Sequence, residues 1–196
     1  MKSKRWLQRN SQDLYVKNAK KQGYLSRSAF KLIEIEHKFK IIQKSVNILE
    51  LGSSPGGWSQ VVCDINKQVK IDAFDLIDMR FENKNITFYK RDFFKFNLAT
   101  LDNKYDLILS DLAPNSIGHK STDHLRIISL IEKIIIILEK IALQNSNLIF
   151  KIWKGSEEKN IINSLKSKYK NIQYFKPKSS RSESSEIFIV AQEFFG

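Results

Sequence analysis

The chain has 196 residues, 42% of them hydrophobic, and carries 33 Lys and Arg against 21 Asp and Glu, a net charge of +12. That apolar fraction excludes a disordered chain, and the length suits one domain better than two. The cationic excess points to a polyanion, because each basic group near a phosphate releases a condensed counterion. A membrane surface would attract the same charge, but the chain has no basic amphipathic helix with an aromatic-rich face. One cysteine, Cys63, excludes an internal disulfide and a multi-cysteine zinc site, and its neighbours Val61 and Val62 make it a small buried hydrophobe. The apolar stretch from Leu125 to Leu143 is interrupted by Glu132, Lys133, Glu139 and Lys140, so it reads as a core helix and not a span. No apolar run follows the basic start Met1-Lys-Ser-Lys-Arg-Trp6, which is unlike a signal peptide. A cytoplasmic protein without membrane contact is expected.

In chain order, residues 1–11 read as a flexible basic arm, and residues 12–196 as a single domain. A short helix is expected over Gln12–Gln22 and a longer one from Ser26 to Lys38. Ser26 would be its N-cap, with Phe30, Ile33 and His37 on one face. Strands and helices then alternate. Apolar, β-branched runs at Val46–Leu51, Lys70–Leu76, Ile86–Arg91, Tyr105–Ser110, Leu148–Trp153, Ile172–Phe175 and Ile187–Ala191 predict strands. Helices are expected at Trp58–Ile65, Asp123–Leu143 and Ser156–Tyr169. Near-continuous apolar strands alternating with helices indicate an α/β fold, Rossmann-like, with a parallel sheet covered on both faces. The polar connection from Lys176 to Ser185 is too short for a crossover helix, so the last two strands should be antiparallel neighbours.

The segment Glu50-Leu-Gly-Ser-Ser-Pro-Gly-Gly-Trp-Ser-Gln60 joins the first strand to a helix through a loop of small residues. Glycines permit close backbone approach, and the helix N-terminus offers N–H groups to an anionic or polar ligand. In a doubly wound sheet, ligands bind at this place. The spacing, Gly52 and then Pro55-Gly56-Gly57, differs from the dinucleotide G-x-G-x-x-G pattern. Asp75 ends the second strand, where either a nicotinamide or a methyl-donor enzyme uses an acid for ribose hydroxyls. Asp92, after the third strand, suits either an adenine amino group or a helix N-cap over Phe93–Leu98.

Four segments resemble the FtsJ/RrmJ-like ribose 2′-O-methyltransferases. They are Ser26-Arg-Ser-Ala-Phe-Lys-Leu32, Leu51 to Gln60, Ser110-Asp-Leu-Ala-Pro-Asn115, and Lys176-Pro-Lys-Ser-Ser-Arg181 with Ser185-Glu186. They occur in family order over nearly the whole chain, and the compact form is similar to the bacterial branch that methylates a uridine of 23S ribosomal RNA. The resemblance implies a class I methyltransferase fold of seven strands, mostly parallel with an antiparallel last strand, and S-adenosylmethionine as cofactor. It implies a catalytic tetrad at Lys31, Asp111, Lys151 and Glu186. Cofactor contacts would fall on Glu50, Gly52, Ser54, Pro55, Gly56, Gly57, Trp58, Asp75, Asp92 and Asp111. The chain departs from the family at Glu50 (usually Asp), at Gln144-Asn-Ser-Asn147 (usually Pro-Gly-Gly), at Ser185 (usually basic), at Phe188 (usually Tyr) and in the position of the serine within Asn115-Ser-Ile-Gly118.

An activated methyl on sulfur needs no metal, but a ribose hydroxyl needs a base. A neutral lysine serves when burial or positive charge lowers its pKa. Lys151 is therefore expected to be the base, with Glu186 orienting it and with Lys31 and Asp111 positioning the hydroxyl. The expected partner is ribosomal RNA within the large ribosomal subunit, bound by a monomer. Lys4, Arg5, Arg9, Arg27, Lys154, Lys178 and Arg181 are the expected RNA contacts, with Lys2, Lys17, Lys20, Lys21 and Lys176 nearby and Trp6 and Trp153 available for stacking. Other readings are methylation of the transfer RNA anticodon loop, a nicotinamide-dependent oxidoreductase, and a silent RNA-binding module. The reversed strand and the absence of G-x-G-x-x-G oppose the second of these, and the intact tetrad opposes the third.

Overall fold

A computed structural model describes residues 13–101, 104–114, 119–155 and 157–196. The expected arm over residues 1–11 lies outside them. The strands are β1 (Asn47–Leu51), β2 (Lys70–Asp75), β3 (Ile86–Lys90), β4 (Tyr105–Ser110), β5 (Ala142–Trp153), β6 (Tyr169–Phe175) and β7 (Glu186–Phe194). They form one sheet in the order β3-β2-β1-β4-β5-β7-β6. The first five are parallel, and β7 runs antiparallel between β5 and β6. The helices are α1 (Leu14–Gln22), α2 (Ser28–Phe39), α3 (Gly57–Ile65), α4 (Lys120–Ile141) and α5 (Glu158–Lys166).

Strand side chains alternate between two cores. Ile48, Leu107, Leu109, Ile149, Phe188 and Val190 face a core shared with α2 and α3. Leu49, Leu51, Ile108, Leu148, Phe150 and Ile189 face one shared with α4 and α5. The same alternation carried to the strand ends puts Asp111, Lys151 and Glu186 on the α2–α3 side, at one edge of the sheet.

Several boundaries differ from the sequence expectation. The helix over Ser26–Lys38 begins at Ser28, and Arg27, not Ser26, occupies the cap position, with no side-chain capping bond. Its buried face is Ala29, Leu32, Ile35 and Glu36, while Phe30 and Ile33 are half-buried and His37 is exposed. Glu36 is tolerated there because its carboxylate accepts from the backbone N–H groups of Ile41, Ile42 and Gln43. The expected loop at Gln144–Asn147 is instead a distortion within β5: Ala142 pairs with Tyr105 and Asn147 with Leu107, so the residues between bulge out. Asn145 takes φ 62 there, a left-handed conformation asparagine tolerates better than most residues. Asp92 caps a 3-10 turn over Phe93–Lys95, shorter than the expected helix, through its bond from the Phe94 N–H. Among the described residues, no helix is long and apolar enough to cross a membrane.

Candidate active site

The loop after β1 is held by neighbouring loops. Ser54 N–H donates to Asp75 Oδ2 at 2.8 Å, and Ile77 N–H donates to its Oδ1 at 2.9 Å. Ser54 Oγ donates to the Asp78 carbonyl, and Arg80 N–H donates to the Pro55 carbonyl. The glycines owe their identity to these close approaches. A Cβ on Gly52 would meet the Leu112 nitrogen at 3.0 Å, one on Gly56 the Phe81 Cβ at 2.5 Å, and one on Gly57 the Ser26 Oγ at 2.2 Å. Gly52 and Gly56 also have φ of +77 and +109. Trp58 differs from the expected ligand contact: its indole is buried, donates to the Ser28 carbonyl, and packs 5.7 Å from the Phe188 ring. What it can offer a ligand is its N–H in the first turn of α3, where no earlier helical carbonyl receives it.

Glu50 lies beneath this loop, only 1% exposed. Its Oε2 accepts from Ser59 Oγ at 2.5 Å. Its Oε1 and the nearby buried Ser53 Oγ find no hydrogen-bond partner among the described residues. Burial pushes the Glu50 carboxyl up to about 8; the Ser59 hydrogen bond opposes this, while the charges of Asp111 and Asp75 add to it. Because the folded state holds this proton more tightly than the unfolded chain, the contribution of Glu50 to stability is greatest below the ordinary value of 4.5 and falls as the pH rises toward about 8. The melting temperature of the ligand-free protein should decline over that interval more steeply than that of Glu50→Gln, which keeps the shape without the charge. Equal slopes in a calorimetric pH series would assign the titration to another group.

The four tetrad positions meet as two ion pairs. Lys151 Nζ, at the end of β5, donates to Asp111 Oδ1 at 2.6 Å and to the Asp111 carbonyl at 2.9 Å. Lys31 Nζ, on α2, lies 2.7 Å from both carboxylate oxygens of Glu186 at the start of β7. The expected pairing of Glu186 with Lys151 is thus replaced: Asp111 orients Lys151, and Glu186 holds Lys31. Burial raises the Asp111 carboxyl, but the charges of Lys151 and Lys31 and the Lys151 hydrogen bond outweigh it and leave the group below its ordinary value. Phe188 lies beneath, its ring centroid 5.7 Å from Lys31 Nζ. The side chains are 8–18% exposed, sheltered yet open to a substrate. An oriented amine, a second cation and two carboxylates can hold a hydroxyl and accept its proton.

A model of FtsJ-like methyltransferases matches residues 24–194. The chain belongs to the FtsJ-like methyltransferases. Relatives include the ribosomal RNA large subunit methyltransferase E of Rickettsia canadensis, 39% identical over 96% of this chain and 88% of that one. The protein of the same name from a Wolbachia of Brugia malayi is 43% identical, over 99% and 90%. A solved Plasmodium falciparum protein described as a candidate ribosomal RNA methyltransferase matches with TM-score 0.76 and 32% identity, over 88% of this chain and all of that one. The N-methyltransferase NodS of Bradyrhizobium japonicum, solved with S-adenosyl-L-homocysteine, shares the fold at TM-score 0.55 and 12% identity, over 94% and 90%.

In this FtsJ-like methyltransferase, a cleft of about 720 Å³ runs from Ser54 and Pro55 to Lys31 and Glu186. Lys20, Arg27, Arg80 and Arg181 also line it. Arg27 is not a free cation, however: it bonds Asp13 Oδ2 and the Ser179 carbonyl. Arg181 Nε donates to the same Asp13 oxygen at 3.2 Å. Lys154 and Lys178 are exposed, Trp153 is half-buried against the α4–α5 core, and Lys176 Nζ donates to the Ser184 carbonyl. Lys2, Lys4, Arg5, Trp6 and Arg9 lie outside the described residues, as do Asn115 to Gly118. Sequence reasoning missed Arg80, which follows β2 in a segment without a motif and reaches the cleft only because its N–H bonds Pro55.

Proposed function

We propose that this methyltransferase transfers a methyl group from S-adenosylmethionine to the ribose 2′-hydroxyl of a uridine in 23S ribosomal RNA, acting on the large ribosomal subunit as a cytoplasmic monomer. The observation that carries this reading is the meeting of Lys31, Asp111, Lys151 and Glu186 between the glycine loop and a basic cleft. The names of the relatives support ribosomal RNA as the substrate, and the NodS complex supports an adenosyl cofactor. The residues fit that cofactor: the unpartnered Glu50 Oε1 and Ser53 Oγ are acceptors suited to an ammonium group, and Asp75 and the α3 N-terminus border the same loop. Asp92 would contribute through its second carboxylate oxygen. When bound, S-adenosylmethionine supplies an activated methyl carbon on a cationic sulfur.

The protein's part is to bind, orient and accept a proton. A neutral lysine amine keeps two N–H donors and one lone pair. The Asp111 carbonyl and Oδ1 take both donors of Lys151, which fixes the lone pair in the remaining direction. The ribose hydroxyl gives its proton to Lys151 Nζ as its oxygen bonds the methyl carbon and the carbon–sulfur bond breaks. Lys31, held by Glu186, steadies the negative charge developing on that oxygen.

Labelled methyl transfer to large subunits, free ribosomal RNA and transfer RNA, followed by mapping of the modified nucleotide, tests the proposal. The large subunit should be the best substrate and a uridine 2′-O-methyl the product. Label confined to transfer RNA, or placed on a base, refutes it. Binding should weaken steeply with salt, and Arg80→Ala should lower the magnitude of the log-log salt slope by about 1 if Arg80 meets a phosphate. An unchanged slope would remove Arg80 from the RNA path.

A further inference from the structure

We infer that Ser180 is a positioning residue that keeps Glu186 on Lys31 and away from Lys151. The inference rests on the proposed methyl transfer for its kinetic consequences, but its geometry stands apart from it. Arg27, Lys31 and Glu34 are spaced by four and three residues, so they share one face of α2. Arg27 and Glu34 meet the connection between β6 and β7, and Lys31 meets Glu186 at the start of β7. Arg27 donates to the Ser179 carbonyl, and Glu34 accepts from the N–H groups of Lys178 and Ser179 at 2.6 and 2.9 Å. These bonds satisfy backbone that would otherwise be costly to hold against the domain, and they fix where Ser180 stands. Ser180, only 8% exposed, donates from Oγ to Glu186 Oε1 at 2.8 Å.

Glu186 has a choice of cations. In the antiparallel pairing of β5 with β7, Lys151 lies opposite Phe188 and Glu186 opposite Trp153. Lys151 and Glu186 are therefore diagonal neighbours on one face, within about 7–8 Å and inside the reach of long side chains. The glutamate has three side-chain torsions, and contacts to the one nitrogen of Lys31, though they reach both oxygens, do not fix the plane of its carboxylate. A second contact, from the anchored Ser180 hydroxyl to Oε1, does so and leaves both oxygens facing Lys31.

The consequence is electrostatic. Lys151 faces Asp111 from the end of β4, Glu186 from β7 and Lys31 from α2, with Glu50 of β1 beyond Asp111. With Glu186 engaged by Lys31, one carboxylate bonds Lys151. If Glu186 swings across, two do, and its carboxylate takes the direction that the two Asp111 bonds leave open to the substrate hydroxyl. Ser180 thereby sets the availability of the base without touching substrate or cofactor.

The test uses the full chain as Ser180→Ala and Ser180→Thr, each checked for an unchanged melting curve. Two readouts are taken. The carbon-13 resonance of the Glu186 carboxyl at a fixed pH needs no activity: losing the Ser180 donor should displace it in Ser180→Ala, and Ser180→Thr should restore it. Methyl transfer to large subunits should show kcat lowered on the order of tenfold in Ser180→Ala, with KM for RNA and cofactor nearly unchanged. Ser180→Thr, which keeps the hydroxyl, should recover most of the rate. An unmoved Glu186 resonance, an unchanged kcat, or a threonine variant as slow as the alanine overturns the inference. A wild-type protein that transfers no methyl to RNA, together with a displaced Glu186 resonance in Ser180→Ala, refutes the proposed function and leaves the role of Ser180 in place.

Discussion

Lys151→Met is expected to lower kcat/KM for methyl transfer by about 10²- to 10⁴-fold, the range general-base catalysis commonly supplies. Methionine keeps an unbranched stem in a site that is 8% exposed, with sulfur in place of Cδ, and lacks the nitrogen proposed to take the proton. Cofactor affinity, measured by calorimetry, should change little, because the loop ties to Asp75, Asp78 and Arg80 do not involve Lys151. A second effect must be separated from the chemistry. Removing one partner of a buried ion pair costs about 3–5 kcal/mol, and less where, as here, the remaining partner, Asp111, is 18% exposed. Lys151→Met combined with Asp111→Asn removes the stranded charge, so it should regain stability without regaining activity. A Lys151→Met enzyme turning over near the wild-type rate would eliminate the assigned base.

Gly56→Ala should be the most damaging single change in the cofactor loop. The added Cβ would lie 2.5 Å from the Phe81 Cβ, which is fixed to its own backbone and cannot swing aside. Overpacking of this kind costs about 1–3 kcal/mol. The left-handed φ of +109 costs an L-residue about 1–2 kcal/mol more. For a chain of this size each kcal/mol lowers the melting temperature by roughly 2–4 °C. If this loop holds the cofactor as proposed, cofactor affinity should fall at least on the order of tenfold. Gly23 is the internal control: it has φ +78, but a Cβ there meets nothing within 4 Å, so Gly23→Ala carries only the backbone cost. Adding Phe81→Gly to Gly56→Ala should restore part of the loss, because only glycine at 81 removes the obstructing Cβ, whereas Phe81→Ala keeps that atom and should restore none. If Gly56→Ala and Gly23→Ala melt alike and bind cofactor equally, the contact with Phe81 is not what requires glycine.

The sheet was legible because its signals are local. Tyr105–Ser110 is a strand with the expected bounds, since an apolar run between polar residues has no other stable place in a parallel sheet. The reversal of β7 could be read from a connection too short to hold a helix. Period-two alternation even indicates that Asp111, Lys151 and Glu186 share a face, each two residues beyond a core residue: Leu109, Ile149 and Phe188. Helix ends were less legible. Ser26 has the right chemistry for a cap, but its hydroxyl lies against Ser28 and beside Gly57 instead, because α3 packs so near.

Local chemistry along the chain thus determined the strands, the glycine loop and which charged groups stand at the strand ends, for these follow from hydrophobic period, glycine placement and motif. Tertiary structure alone decided which carboxylate serves which lysine, that Trp58 belongs to the core, that Arg27 is a brace, and that Arg80 lines the cleft. Each depends on distances between segments far apart in the chain: Lys31 and Glu186 are separated by 155 positions, and whether they touch is set by how α2 packs on β7. A charged side chain reads alike in sequence whatever it faces, and only packing gives it a partner.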